Sequence, residues 1–177
     1  MTREYPAEIA GPYDGPPQSL TDAEGRDIVV DRAGTEAFET LVAMYVDFDP
    51  GDRAQGIPPI GEEEIREWLD AVLAADSFNV VASHGDRAVG HATLVPDTDD
   101  HELAIFVLQA YQEAGIGTRL IQGLLGHGRA NGVETVWLTV ERWNHAAVSL
   151  YEKIGFEASR AESFELEMRL RLAPADG

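Results

Sequence analysis

The stretch 103–130 constrains this chain more than any other. An apolar run at 103–108 enters the turn Gln112-Glu113-Ala114-Gly115-Ile116-Gly117, and an amphipathic segment follows to about Ala130 with Ile116, Leu120, Leu124 and Leu125 on one side. A buried strand passed through a glycine turn into a helix needs packing layers around it, so the unit predicts a layered α/β or α+β fold. Glycines at 115 and 117 let backbone approach a ligand with no Cβ between. The first-turn amides of the helix are unpaired and the helix dipole adds positive charge, which makes an anion site. Thr118 adds a hydroxyl and Arg119 a nearby charge. The same pattern would also serve an ordinary helix start. A dinucleotide site wants a third glycine where Leu120 stands, and a P-loop wants Gly-Lys-Ser/Thr, which is absent.

The rest of the chain supplies the layers. Residues 1–24 hold Pro6, Pro12, Pro16, Pro17, Gly11 and Gly15 and read as an irregular N-terminal arm. A short strand is expected at 27–31, then a helix capped by Thr35 and carrying Phe38, Leu41, Val42 and Tyr45. Asp49-Pro50-Gly51 stops it, and a loop through Gly56, Pro58 and Pro59 follows. A second helix opens on Glu62, Glu63 and Glu64, where negative charge suits the dipole, and turns Ile65, Trp68, Leu69 and Val72 inward. Strands at 78–83 and 88–95 form a hairpin about Gly85-Asp86. Strand 135–140, helix 144–153 and strand 164–172 close the order, with room for a short extra strand after Phe156. One domain over 25–172 with a tail at 173–177 is expected.

Charge and composition remove whole classes of function. There are 32 acidic residues against 13 basic ones and no cysteine. Disulfides and thiolate chemistry are therefore out, and a polyanion such as nucleic acid would be repelled. The acids are spread along the chain, and Lys153 is its single lysine. That pattern fits a halophilic protein with an acidic surface in molar salt, where the Debye length is about 3 Å and carboxylates scarcely repel. No apolar h-region or membrane-length apolar run is present, so a cytoplasmic protein with no membrane partner is expected. The five histidines show no metal-ligand spacing, and no metal is expected.

Two motifs resemble one family. The stretch from Glu102 to Ile121 looks like motif A of the GCN5-related N-acetyltransferase (GNAT) family. Asn144, Ala147, Tyr151, Gly155 and Phe156 keep the Asn-x-x-Ala-x-x-x-Tyr-x-x-x-Gly-Phe pattern of its motif B. The Glu-Leu-Ala start and the proline-rich lead look most like the bacterial protein lysine acetyltransferase type. The resemblance implies a mixed, splayed β-sheet flanked by helices, with two parallel strands parting to admit the pantetheine arm of acetyl-CoA. Backbone near Phe106 and Val107 would pair with that arm as an added strand. The turn from Gln112 to Thr118 would hold the pyrophosphate, and Asn144 and Ala147 would complete the cofactor site.

The expected reaction is acetyl transfer from acetyl-CoA to a primary amine, on a protein or a small molecule. Tyr151 lies two helical turns, about 10.5 Å, beyond Asn144 on one face, and could protonate the leaving thiolate. It also has core-like neighbours in Ala147, Leu150 and Ile154. Glu102 could deprotonate the acceptor amine, with Glu141 and His91 as weaker substitutes; equally, it could be one solvated acid among many. Asp47, Asp49, Asp52 and Arg53 lie where an acceptor pocket is expected, or belong to the general acidity. Trp143 could wall that pocket or simply pack. A non-catalytic acyl-CoA-binding or regulatory module of the same fold is the alternative. The oligomeric state stays open, a homodimer included.

Overall fold

The computed structural model describes residues 3–53, 57–74, 76–158 and 164–175. Gly56 of the expected loop lies outside the described residues. The strands are β1 (Gln18–Thr21), β2 (Asp27–Arg32), β3 (Phe78–His84), β4 (Arg87–Asp97), β5 (Asp100–Val107), β6 (Thr135–Glu141), β7 (Glu157–Ala158) and β8 (Glu165–Arg171). The helices are α1 (Phe38–Val46), α2 (Glu62–Val72), α3 (Ile116–Ala130) and α4 (His145–Ile154). One mixed sheet runs β1-β2-β3-β4-β5-β6-β8-β7.

Local chemistry explains most boundaries. Gly85 takes φ +61° in the two-residue turn between β3 and β4. The polar stretch 97–100 folds as an equally tight turn, with Thr98 at φ 57°. Val72, Leu69 and Ile65 bury the apolar stripe of α2. Two readings needed correction. Thr35 does not cap α1: it opens a 3-10 turn at Thr35–Ala37, and the Gly34 N–H donates to Glu36 Oε1 at 2.9 Å. Neither that turn nor α1 has a side-chain cap, and Phe38 opens α1 directly from the 3-10 turn. Within the arm, Gln18–Thr21 pairs with β2 from Gln18 opposite Val30 to Thr21 opposite Asp27. Four residues directly after two prolines are too short a run for alternation to register.

The helices lie on both faces. His91 of β4 bonds Tyr45 of α1, while its neighbour Gly90 lies against Leu120 of α3. Adjacent residues of a strand face opposite ways, so α1 and α3 cover opposite faces. The arm crosses the sheet. Ala10 bridges to Leu172 beyond β8, Tyr13 Oη donates to the Ile154 carbonyl at the end of α4, and Gly15 lies on Gly126 of α3. A Cβ at Gly126 would sit 2.8 Å from Gly15 N and from Tyr13 O, so that crossing requires glycine.

Candidate active site

β5 and β6 run parallel but pair only at His101 with Val136 and Glu102 with Trp137. Beyond those residues they part. Each follows its other neighbour: β5 stays registered with β4 as far as Val107 opposite Gly90, and β6 with β8 as far as Glu141 opposite Glu165. The opening forms a cleft of about 280 Å³, lined by Glu102, Phe106, Asn144, Ala147 and Tyr151 among the expected residues. Gly51, Asp52, Arg53, Ile57 and Thr139 also line it.

Glu102 begins the opening and is partly buried. Burial pushes its carboxyl above the usual range; Asp97 and Glu167 push the same way, and Arg3 opposes them. Tyr151 is buried to 8% exposure, and its ring lies edge-on to Phe156 with centroids 5.9 Å apart. Burial raises its phenol to about 12, so it carries its proton at neutral pH. Asn144 is the N-cap of α4: its Oδ1 accepts from the Ala147 N–H at 3.3 Å. That cap fixes the start of the helix that carries Tyr151.

The glycine turn, past the end of β5, and Val107, its last residue, stand outside the cleft lining. Gly115 is the N-cap of α3 at φ +93°, a conformation that favours glycine. Gly117 differs. A Cβ there would make only ordinary contacts, 3.7 Å to Leu150 and 3.8 Å to Ile105. The fold itself therefore does not demand glycine at 117. Ile116 and Ala114 are buried, while Glu113, at φ 57°, is exposed. The Gln112 side chain is committed within the protein: Nε2 donates to Val107 O and to Asp52 Oδ2, each at 3.0 Å. It ties the turn to β5 and to the loop after α1. Arg119 donates to Gln18 Oε1 at 2.9 Å.

The turn is braced from β1–β2, which the sequence reading missed. Ala23 N–H donates to Ala114 O, Arg26 Nη1 donates to Ala110 O, and the Arg26 guanidinium stacks 3.9 Å above the Tyr111 ring. Asp22 anchors Arg26 at 2.7 Å. An Asp and an Arg four residues apart around Gly25 were the available signal.

Other expected residues take structural places. His91 is fully buried between Tyr45 Oη, 2.6 Å from Nδ1, and Asn79 Oδ1, 2.8 Å from Nε2. Burial lowers its pKa to about 3, so it is neutral and enclosed. Asp49 caps the short turn Pro50–Asp52 by accepting from Gly51 N–H, and Asp47 lies 3.6 Å from Arg87. Arg53 Nε donates to Pro58 O. Trp143 is exposed and packs on Phe164. Glu141 lines the cleft.

A parallel pair parted over a cleft, with a glycine turn at its end, defines an acyltransferase fold of the GNAT kind. The chain belongs to the acetyltransferase (GNAT) family, whose model matches residues 39–156. It is 41% identical over 80 residues to the ribosomal protein bS18-alanine N-acetyltransferase of Salmonella typhimurium, covering 45% of this chain and 54% of that one. It is 29% identical over 132 residues to the mycothiol acetyltransferase of Saccharomonospora viridis, covering 69% of this chain and 42% of that one. The match thus spans about half the length of these curated relatives or less. Among solved structures, the GNAT domain of S. lividans PAT superposes with a TM-score of 0.73 at 16% identity, covering 96% of this chain and all of that one. The paia N-acetyltransferase of Thermoplasma acidophilum, solved in complex with coenzyme A, gives 0.63 at 18% identity, with 81% and 98% coverage. At such identities these structures share the fold.

Proposed function

We propose that this chain transfers the acetyl group of acetyl-CoA to a primary amine, a protein lysine or N-terminus or a small amine, by direct attack on the thioester. The observation that carries this reading is the placement of Glu102 and Tyr151 on one cleft between strands whose facing edges are unpaired. Those open edges suit the amides of a pantetheine arm, which would add to β5 as a strand adds to a sheet edge. The amides after Gly115 suit the pyrophosphate, and backbone donors there need few basic side chains on a chain of net charge −19.

Each residue has a task. Glu102, with its pKa raised, takes the proton of the acceptor ammonium, directly or through water. The neutral amine attacks the thioester carbonyl, the C–S bond breaks, and the attacking nitrogen gives its second proton to water as the neutral amide forms. Tyr151, protonated, returns a proton to the departing thiolate. The Asn144 cap and Ala147 keep the start of α4 open towards the cofactor. Release of CoA with a panel of amines and peptides tests the reading. Amine-dependent release supports it; tight CoA binding with no release for any acceptor would leave a non-catalytic acyl-CoA module.

The acidic composition belongs to the same proposal as an adaptation to molar salt in the cytoplasm. Circular dichroism in molar KCl and in dilute buffer checks it: loss of fold in dilute buffer is expected, and full stability there contradicts it.

A further inference from the structure

The tip of the β1–β2 hairpin is tied to itself before it touches anything else. Asp22 Oδ1 accepts from the Glu24 N–H at 3.0 Å and from the Arg26 N–H at 2.9 Å, and Asp22 Oδ2 accepts from Arg26 Nε at 2.7 Å. The Asp22 side chain has no exposed surface, and Gly25 turns the chain at φ +81°. The carboxylate is thus spent on closing the tip. Two donors are left to point outward, the Ala23 N–H and Arg26 Nη1, and both go to the segment between β5 and α3.

That segment needs holding. Glu113 at φ 57° and Gly115 at φ +93° put two left-handed residues within three positions. A residue other than glycine keeps such a conformation only where its surroundings enforce it. The hairpin fixes a peptide on either side. Arg26 Nη1 donates to Ala110 O at 3.0 Å, and the same planar peptide carries the Tyr111 N–H, which donates to Leu108 O at 2.8 Å. The Ala23 N–H donates to Ala114 O at 3.0 Å. In a trans peptide the N–H points opposite to the C=O, so this bond turns the Gly115 N–H away from the hairpin. Gly115 is the N-cap of α3, and its amide heads the first-turn donors that the helix leaves unpaired. The Tyr111 ring lies against the Arg26 guanidinium and is held in turn by His84 of β3, whose Nδ1 is 2.7 Å from Tyr111 Oη. Arg26 therefore sits flat between a buried carboxylate, a backbone carbonyl and a ring, a place that suits a planar fork and not an ammonium. Residues 22–26 lie outside the stretch 39–156 that matches the family.

We infer that Arg26 is a positioning residue for the coenzyme A pyrophosphate: by locking the hairpin tip onto Ala110 and Ala114 it aims the amides from Gly115 onward at the anion. Arg26 itself touches no ligand. The inference rests on the reading of this turn as the pyrophosphate seat.

A set of ligands, titrated into the full chain without any acceptor, tests it. CoA carries a pyrophosphate and a ribose phosphate, dephospho-CoA carries the pyrophosphate without the ribose phosphate, and pantetheine carries neither. Dissociation constants are read by nuclear magnetic resonance titration. Arg26→Ala weakens CoA and dephospho-CoA by about tenfold each and leaves pantetheine unchanged, because only the aim of the turn is lost. Arg26→Lys, which keeps the charge without the planar fork, shows the same selective loss, and it decides the matter by the same ratio if Arg26→Ala does not fold. In turnover, KM for acetyl-CoA rises about tenfold and that for S-acetylpantetheine does not. Unchanged CoA affinity overturns the inference. Equal losses for all ligands overturn it by making Arg26 a residue of the general fold. A loss for CoA alone overturns it by placing Arg26 on the ribose phosphate, and wild-type affinity in Arg26→Lys overturns it by making Arg26 a charge and not a brace. A wild type that binds CoA no more tightly than pantetheine removes the pyrophosphate seat, and this inference with it. A wild type that prefers CoA, with variants that keep the preference, removes this inference alone.

Discussion

Strand β5 has two edges with opposite fates. Against β4 it is paired from Asp100 opposite Asp97 to Val107 opposite Gly90; against β6 it is paired only at His101 and Glu102. The closed seam is backed by a sealed polar chain from Tyr45 through His91 to Asn79, whose Nδ2 donates to Val72 O at 3.2 Å. The open seam ends in a cleft and in backbone groups that need partners. The difference shows where the molecule stores stability and where it leaves itself unfinished. Substitutions along the closed seam should act on folding, and those along the open seam on ligand and turnover.

The sharpest separation is expected at Tyr151. Tyr151→Phe lowers kcat by about 10²-fold or more while acetyl-CoA affinity stays similar, read by steady-state rates and calorimetry. Unchanged turnover would make Tyr151 a core residue alone. Glu102→Gln comes next, with kcat/KM lower by about 10- to 100-fold. Because its carboxyl titrates above the usual range, wild-type activity rises with pH through that raised pKa, and the variant loses this acidic limb. A variant profile that keeps the limb assigns the base elsewhere.

Gly117→Ala tests the open seam without harming the fold. A Cβ there meets only Leu150 and Ile105 at ordinary distances. Its stability is therefore expected unchanged or raised by up to about 1 kcal/mol, while CoA affinity falls by about tenfold. Equal CoA affinity would show that ligand does not approach this backbone. On the closed seam, Asn79→Ala leaves the buried His91 Nε2–H without its acceptor and costs about 1–3 kcal/mol in urea unfolding. Its kcat under native conditions is expected to match wild type; a matching loss of kcat would mean that the seams are coupled.

Much of this was legible because it is local. The hairpin at Gly85-Asp86, the apolar stripe of α2 and the turn into α3 follow from spacing within a few residues. The motif residues were legible by resemblance, and the cleft brings Glu102, Phe106, Asn144, Ala147 and Tyr151 together. What was not legible depends on distant partners. Gln112 looked like a ligand contact, yet its side chain is spent on Val107 and Asp52. Arg3 of the arm stacks on Trp137 of β6 and pairs with Asp97 and Asp100 at the β4–β5 turn and with Glu167 of β8, which no periodicity brings together. Strand β1 was too short to show alternation, and Thr35 lost its expected cap role to a 3-10 turn.

The central claim is that the parted seam between β5 and β6 receives acetyl-CoA. Amide hydrogen exchange with and without CoA tests it most directly. Peptides covering 103–108, 112–118 and 138–144 should slow on CoA binding, while those from β3 and the β2–β3 seam keep their rates. Protection confined to other regions, or unchanged exchange along β5 and β6 at saturating CoA, would contradict the account.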